Sequence, residues 1–313
     1  MTQFLDIPSE LDRLEHALET QLSPAMLETS RSVLDTLRIR PDREPRWTAR
    51  LSPFVTLYPL LQSEAWSDQP TELVRRANEV HLFLLIYTFI DDRLVDGQNT
   101  LAPAEIVLAK QALLIALRIA REASLLVPET EAFWMESFEK YHRAQLRSYD
   151  SIEEEDAETR LEAQEQIVKD RAALGRLAVV SACHAAGHAD MQSALGSAFD
   201  ALAVGLQWED DLNDWPHDLL ASQQNLLLAG LDSGSIPREG DINDRLRSVD
   251  RCLVKSGTYS LAVERSLSFL EGAETVHSRF SCRQLVDATI HRRRSIEDLG
   301  RRLESAIAKE DAG

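Results

Sequence analysis

The sequence predicts an all-α protein, a single helical bundle, and three observations carry that prediction. Glycine and proline are scarce, 12 and 11 in 313 residues, so the chain has few of the residues that punctuate turns. Long stretches are dominated by alanine, leucine, glutamate and arginine, all strong helix formers. No segment shows the period-two alternation of a half-buried strand. Apolar residues make up 44% of the chain, enough for a substantial core and too many for disorder. No tandem repeat or composition break marks a boundary. One domain of about ten helices over residues 1–313 is therefore expected, with 1–45 as peripheral N-terminal helices.

The elements follow in order. Residues 1–45 are amphipathic and charged and end in the loop-like Arg40-Pro41-Asp42-Arg43-Glu44-Pro45. An apolar stretch, Leu51–Trp66, comes next and is broken by Ser67-Asp68-Gln69-Pro70. Thr71 can cap a helix that begins with Glu72 and runs to Asp96. Its second half, VHLFLLIYTFI (80–90), is apolar on nearly every face, as a central buried helix must be. Helices are expected over 103–126 and 129–148, the latter aromatic through Phe133, Trp134, Phe138 and Tyr141. The acidic 150–158 stretch reads as a solvated turn or helix start. One long helix, 159–188, changes midway from charged to small and apolar. Another buried helix spans 193–213 and is bent or ended near Trp215-Pro216. The pattern then continues over 219–231, 241–255, 258–275 and 283–309.

Composition excludes several functions. With 34 basic against 52 acidic residues, a formal charge of −18, nucleic acid is not an expected partner. An acidic protein can still bind an anion where metal ions supply local positive charge. Cys183, Cys252 and Cys282 are widely spaced and odd in number, and the N-terminus is acidic and polar. Both point to free thiols and a cytoplasmic location. No uncharged apolar run approaches the length of a membrane span.

Two acidic clusters stand out. Asp91, Asp92 and Asp96 close the central apolar helix, with Asp92 and Asp96 one turn apart. Glu209, Asp210, Asp211, Asp214 and Asp218 close the helix that begins near 193, with Asp210, Asp214 and Asp218 spaced by four. Unpaired carboxylates one turn apart repel and weaken a helix, a cost that a divalent cation would offset. Oxygen-only donors suit Mg²⁺ or Mn²⁺, and Mg²⁺ is commonly held by one or two carboxylates together with substrate phosphates. Two such clusters across a cavity could clamp a diphosphate. The spacing of a calcium-binding EF-hand loop is absent. A single acidic helix end is ordinarily solvated surface; two, each following a buried helix, are harder to explain that way.

IDDRLVD (90–96) and GLQWEDDLND (205–214) resemble the two aspartate-rich motifs of the trans-prenyltransferases and class I terpene synthases. The second is similar to the G-x-x-F-Q-x-x-D-D-x-x-D of polyprenyl diphosphate synthases, with Trp208 in place of a more usual residue. The resemblance implies an isoprenoid synthase-type bundle with a central cavity. It also implies about three Mg²⁺ ions, with Mn²⁺ as a substitute, on Asp91, Asp92 and Asp96 and on Asp210, Asp211 and Asp214. Ionisation of the prenyl diphosphate would depend on Asp91, Asp92 and Asp210, and a homodimer is the family habit.

The departures matter too. No arginine pair follows the first motif, whose sequel is GQNTLAPAE, and no Gly-Lys-Arg lies upstream. In chain-elongating synthases these groups serve a second diphosphate. Their absence favours a terpene synthase that ionises one allylic diphosphate and lets the cation cyclise or be quenched. The Asn-Asp-x-x-Ser-x-x-x-Glu motif common in bacterial terpene cyclases is missing as well. The alternatives are a trans-prenyl diphosphate synthase using isopentenyl diphosphate, a head-to-head condensing enzyme, and a non-catalytic helical subunit. The last is disfavoured because both clusters are intact.

Cations should complement the leaving diphosphate. Lys169 and Arg171 fit the place of a Lys-Thr pair in the resembling synthases, and Arg176 is the expected diphosphate sensor. Within the basic run His291-Arg292-Arg293-Arg294, Arg293 and Arg294 are chosen as a late closing motif. For each of these the plain alternative is a surface ion pair. Phe83, Tyr87 and Trp208 are expected to line the hydrocarbon pocket, with Phe89, Phe138, Tyr141 and Phe199 as further candidates. Phe83 and Tyr87, two turns and one before Asp91, would limit the substrate to C15 or C20. His184 and His188, four apart with no third ligand, read as a core pair.

Overall fold

The computed structural model describes residues 6–36, 56–66, 71–95, 101–147, 157–221, 223–231, 236 and 240–311. Among them are thirteen α-helices, two 3₁₀ turns and no strand. The helices are α1 Ile7–Gln21, α2 Pro24–Thr36, α3 Tyr58–Gln62, α4 Glu72–Val95, α5 Pro103–Glu122, α6 Pro128–Arg147 and α7 Ala157–Arg171. They continue with α8 Ala173–Ala185, α9 Gln192–Ala221, α10 Leu226–Ala229, α11 Ile242–Lys255, α12 Thr258–Arg279 and α13 Arg283–Asp311. Asp96, the Arg40–Pro45 loop and the acidic residues 150–156 lie outside the described residues.

The chain packs as two compact units, each assembled from separated stretches. The first comprises Met1–Tyr141, Ala173–Phe199 and Val276–Ala288; the second comprises His142–Ala172, Asp200–Thr275 and Thr289–Gly313. In the first unit α4 is the central element and packs on α3, α5 and α8. Its all-round apolarity is used: Val80, Phe83, Leu84 and Ile86 have no exposed surface. The small residues of α8 allow close approach, and a Cβ on Gly175 would fall 2.6 Å from the Phe199 ring. The N-terminal α1 lays Leu11, Leu14, Ala17 and Leu18 inward, and α2 packs on α5.

The second unit is organised along α9. Trp208, Leu212, Trp215 and Leu219, spaced by three and four, form one buried stripe. It meets Leu226, Leu227 and Leu228 of α10, Val249 and Leu253 of α11, and Tyr259 and Ala262 of α12. On α11 only Val249 and Leu253 are buried, and Asp241 caps its start by accepting from Asn243 N at 2.9 Å.

Four sequence expectations change. The helix over 159–188 is interrupted at Ala172, where the chain passes from the second unit to the first. It then stops at Ala185, because Gly187 takes φ +81° and the amides of Gly187 and His188 turn back to His184 O and Cys183 O. The helix begun near 193 does not end at Pro216 but runs through it to Ala221. The helix expected over 219–231 shrinks to α10, started by Asn225, whose Oδ1 accepts from Leu228 N at 3.1 Å.

Candidate active site

The first cluster sits at the C-terminal end of α4. Asp91 and Asp92 are both half-buried. Tyr141, on α6, is fully buried and donates its hydroxyl to Asp91 Oδ2 at 2.9 Å; Asp92 Oδ1 is 3.5 Å from the same hydroxyl. One turn before Asp91, Tyr87 packs its ring 6.0 Å from that of Tyr141. Burial, reinforced by the Asp91 and Asp92 charges, pushes the Tyr87 phenol up to about 12, so it stays protonated at neutral pH. Arg93 pairs with Glu105 at 2.6 Å, and Glu105 also accepts from Ala102 N at 2.9 Å. These bonds tie the end of α4 to the start of α5.

The second cluster lies on α9 in the other unit, and its five acids fare differently. Asp211 is only 3% exposed. Its Oδ2 accepts from Leu226 N, the first amide of α10, and its Oδ1 accepts from Gln207 Nε2 at 2.6 Å. Burial raises its carboxyl to about 7 against these two lowering bonds. Asp218 accepts from Asn225 Nδ2 at 2.8 Å. Glu209 accepts from Arg292 Nη1 at 3.0 Å in a pair that is 15% and 8% exposed. Asp210 and Asp214, four apart and so on one face of α9, remain half-buried. Of the three acids assigned to metal here from sequence, Asp211 is the most buried and bonds protein amides through both oxygens.

The expected cations are dispersed. Lys169 lies over the Phe269 ring at 5.4 Å, and Arg171 is half-buried beside it in sequence. Arg176 lines an open cleft of about 400 Å³ with Glu129, Phe133, Lys140, His184 and Ser193 among its walls. Neither Asp91 nor Asp92 lines that cleft. Arg293 donates to Glu274 at 2.7 Å, and its pKa is raised by that bond. Arg294 is exposed. In the basic run it is Arg292 that reaches an aspartate-rich motif. No local signal marks it, because its partner is 83 residues away in sequence. Gln207, by contrast, stands one turn before Asp211, a spacing at which Gln and Asp side chains meet.

The aromatics divide as well. Phe83 is core with no exposed surface. Trp208 is equally buried in the second unit's core and donates its indole N–H to Glu165 at 3.0 Å. Tyr87, at 9% exposure, is the expected wall residue nearest Asp91 in sequence. Phe199 meets Tyr58 edge to face at 5.0 Å. His184 and His188 are half-buried, not core, and His188 stacks on Trp66 at 5.3 Å.

Among the described residues no three Asp, Glu, His or Cys side chains converge as a ready metal cage. The donor chemistry nonetheless fits magnesium. Each cluster offers half-buried carboxylates, and Mg²⁺ typically takes one or two of these and completes its shell with water and substrate phosphate. Among the described residues no helix is long and apolar enough to cross a membrane.

Comparison with solved structures identifies the fold. A geranylgeranyl pyrophosphate synthetase from Geoglobus acetivorans matches with TM-score 0.69 and 18% identity, over 91% of this chain and 96% of that one. Heptaprenyl diphosphate synthase from Staphylococcus aureus gives 0.67 and 15%, over 91% and 97%. A geranylgeranyl pyrophosphate synthase from Corynebacterium glutamicum gives 0.64 and 19%, over 93% and 92%. A further structure of such a synthase from Corynebacterium glutamicum, solved with isoprenyl diphosphate and magnesium, matches at 0.57 and 15%, over 92% and 97%. No protein-family profile and no curated protein sequence matches the chain. The fold is that of the trans-prenyl diphosphate synthases.

Proposed function

We propose that this chain is a magnesium-dependent enzyme that ionises an allylic prenyl diphosphate. The observation that carries the reading is the pair of acidic clusters, one at the C-terminal end of α4 and one within α9, each keeping half-buried carboxylates. These are Asp91 and Asp92 on α4, and Asp210 and Asp214 on α9. The fold shared with prenyl diphosphate synthases supports it. When bound, magnesium supplies Lewis-acid stabilisation of the leaving diphosphate. Asp91, Asp92 and Asp96 would hold magnesium at the first cluster, and Asp210 and Asp214 would do so at the second. Asp211 acts one step back, by holding α10 against α9. Tyr87, one turn before Asp91 on α4, would present ring surface to the hydrocarbon, with the fully buried Phe83 packed behind it in the core. Held protonated by its surroundings, Tyr87 presents no phenolate to an allylic cation.

Two fates of that cation are supported by different observations. Condensation with isopentenyl diphosphate is supported by the solved structures of this fold, which are chain-elongating synthases. Single-substrate chemistry, a terpene synthase, is supported by the absence of an arginine pair after the first motif and of an upstream Gly-Lys-Arg. The structural likeness favours condensation. A cytoplasmic homodimer belongs to the same reading, and light scattering tests the dimer.

The deciding experiment incubates purified protein and Mg²⁺ with geranyl, farnesyl or geranylgeranyl diphosphate, with and without isopentenyl diphosphate. Products are read by mass spectrometry. A longer diphosphate formed only with isopentenyl diphosphate establishes condensation. A hydrocarbon or alcohol from one allylic substrate alone establishes a terpene synthase. In either case a chelator should abolish turnover and Mg²⁺ should restore it. Absence of any product from all three substrates would overturn the reading.

A further inference from the structure

The sequence offers Tyr141 as an aromatic wall for a carbocation, and the structure gives it other work. Its ring has no exposed surface. What reaches the cluster is the hydroxyl, 2.9 Å from Asp91 Oδ2 and 3.5 Å from Asp92 Oδ1. We infer that Tyr141 is a positioning residue for the first metal site, holding Asp91 through one carboxylate oxygen. The inference rests on the reading of Asp91 as a magnesium ligand.

Three features support it. Asp91 and Asp92 are adjacent carboxylates that repel each other, and a hydroxyl proton shared unequally between them offsets part of that repulsion. The donor is rigid: Tyr141 lies on the twenty-residue α6 with its ring against Tyr87, so the Asp91 rotamer is set before any ligand arrives. A phenol on Oδ2 fixes which way the Asp91 carboxylate faces. Hydrogen-bond donors behind metal ligands orient them, and losing one typically weakens metal affinity or activity by about 10–100-fold.

The test uses the full chain with Tyr141→Phe, which keeps the ring and deletes one oxygen. The first readout is the Mg²⁺ dose that gives half of the thermal stabilisation produced by inorganic diphosphate. The second is the Mg²⁺ dependence of turnover. Tyr141→Phe should need about 10-fold more Mg²⁺ or beyond in both, with turnover approaching wild type once Mg²⁺ saturates. Tyr259→Phe serves as control, because it deletes a Tyr–Asp bond of 2.6 Å to Asp250 elsewhere; its Mg²⁺ dose should equal that of wild type. A merely structural tyrosine would lower the melting midpoint without metal and leave the Mg²⁺ dose alone. That result, or an unchanged dose with an unchanged midpoint, overturns the inference. Wild-type protein that shows no Mg²⁺-dependent response to diphosphate would instead overturn the metal-site reading beneath it.

Discussion

The two acidic clusters look alike in sequence and differ in what their carboxylates do. At the end of α4, Asp91 and Asp92 share one phenolic donor, and both stay half-buried. On α9, Asp211 is bound to Leu226 N and Gln207, Asp218 to Asn225, and Glu209 to Arg292. Acid spacing therefore does not separate ligand from tether. The bonds each acid makes supply a second criterion, because a carboxylate oxygen engaged by a buried amide is less open to a metal.

The largest effect tests one acid from each cluster. Asp91→Ala and Asp210→Ala should each reduce turnover on the order of 10²–10³-fold or more, with the unfolding midpoint nearly unchanged. Steady-state kinetics with a denaturation curve for each variant checks both halves. Retained activity in one of the pair would leave a single working cluster and break the comparison.

The Arg292–Glu209 pair should give the next largest effect, this time on stability. Arg292→Ala leaves Glu209 largely buried without its cation, at a cost of about 3 kcal/mol or more. The double replacement Arg292→Met with Glu209→Gln should recover most of that loss, since apolar or neutral substitutes for a buried pair are often tolerated. Urea unfolding of the single and double variants measures the recovery. A double variant as unstable as the single one would show that Arg292 matters through other contacts.

Asp211 follows. Asp211→Ala orphans the amide of Leu226, and stability should fall by about 1–3 kcal/mol. Asp211→Asn keeps an acceptor for Leu226 N and should cost markedly less. With the carboxyl raised to about 7 by burial, Asp211 carries less than a full charge at neutral pH, and a neutral amide is a close substitute. Turnover of the Asn variant should stay far above that of Asp210→Ala; equality between the two would make Asp211 a ligand after all.

Much of the fold was legible because it rests on local pattern. The apolar run VHLFLLIYTFI had to be buried on nearly every face, and it is, with only Leu85, Thr88 and Phe89 half-buried. Pro103 with Glu105, and Asp241, mark helix starts that the structure keeps. Pro216 misled, because its missing N–H predicts a break while the buried stripe Trp215 and Leu219 holds α9 together across it. The pair His184 and His188 misled because Gly187 ends the helix between them. At the candidate site the acids could be found by spacing, but their partners could not. Tyr141 is 50 residues from Asp91 and Arg292 is 83 from Glu209. Only tertiary packing joins them, and neither carries a motif of its own.

Asp218 supplies the finest test of the distinction. By spacing it is the natural third member of the Asp210–Asp214 row, one further turn along a helix that continues through it. By partner it is a tether, accepting from Asn225 Nδ2 at 2.8 Å, while Asn225 also donates to Asp211 O at 3.2 Å and caps α10 through its Oδ1. Asp218→Asn preserves one acceptor oxygen at the same place and removes only the charge. If partners decide, stability should change by less than about 1 kcal/mol, and the Mg²⁺ requirement of turnover should match wild type. If spacing decides, the same substitution removes a ligand, and the Mg²⁺ requirement should rise as it does for a change at Asp214. Measuring Asp218→Asn and Asp214→Asn side by side across a Mg²⁺ titration therefore separates a row of three ligands from two ligands and a strut.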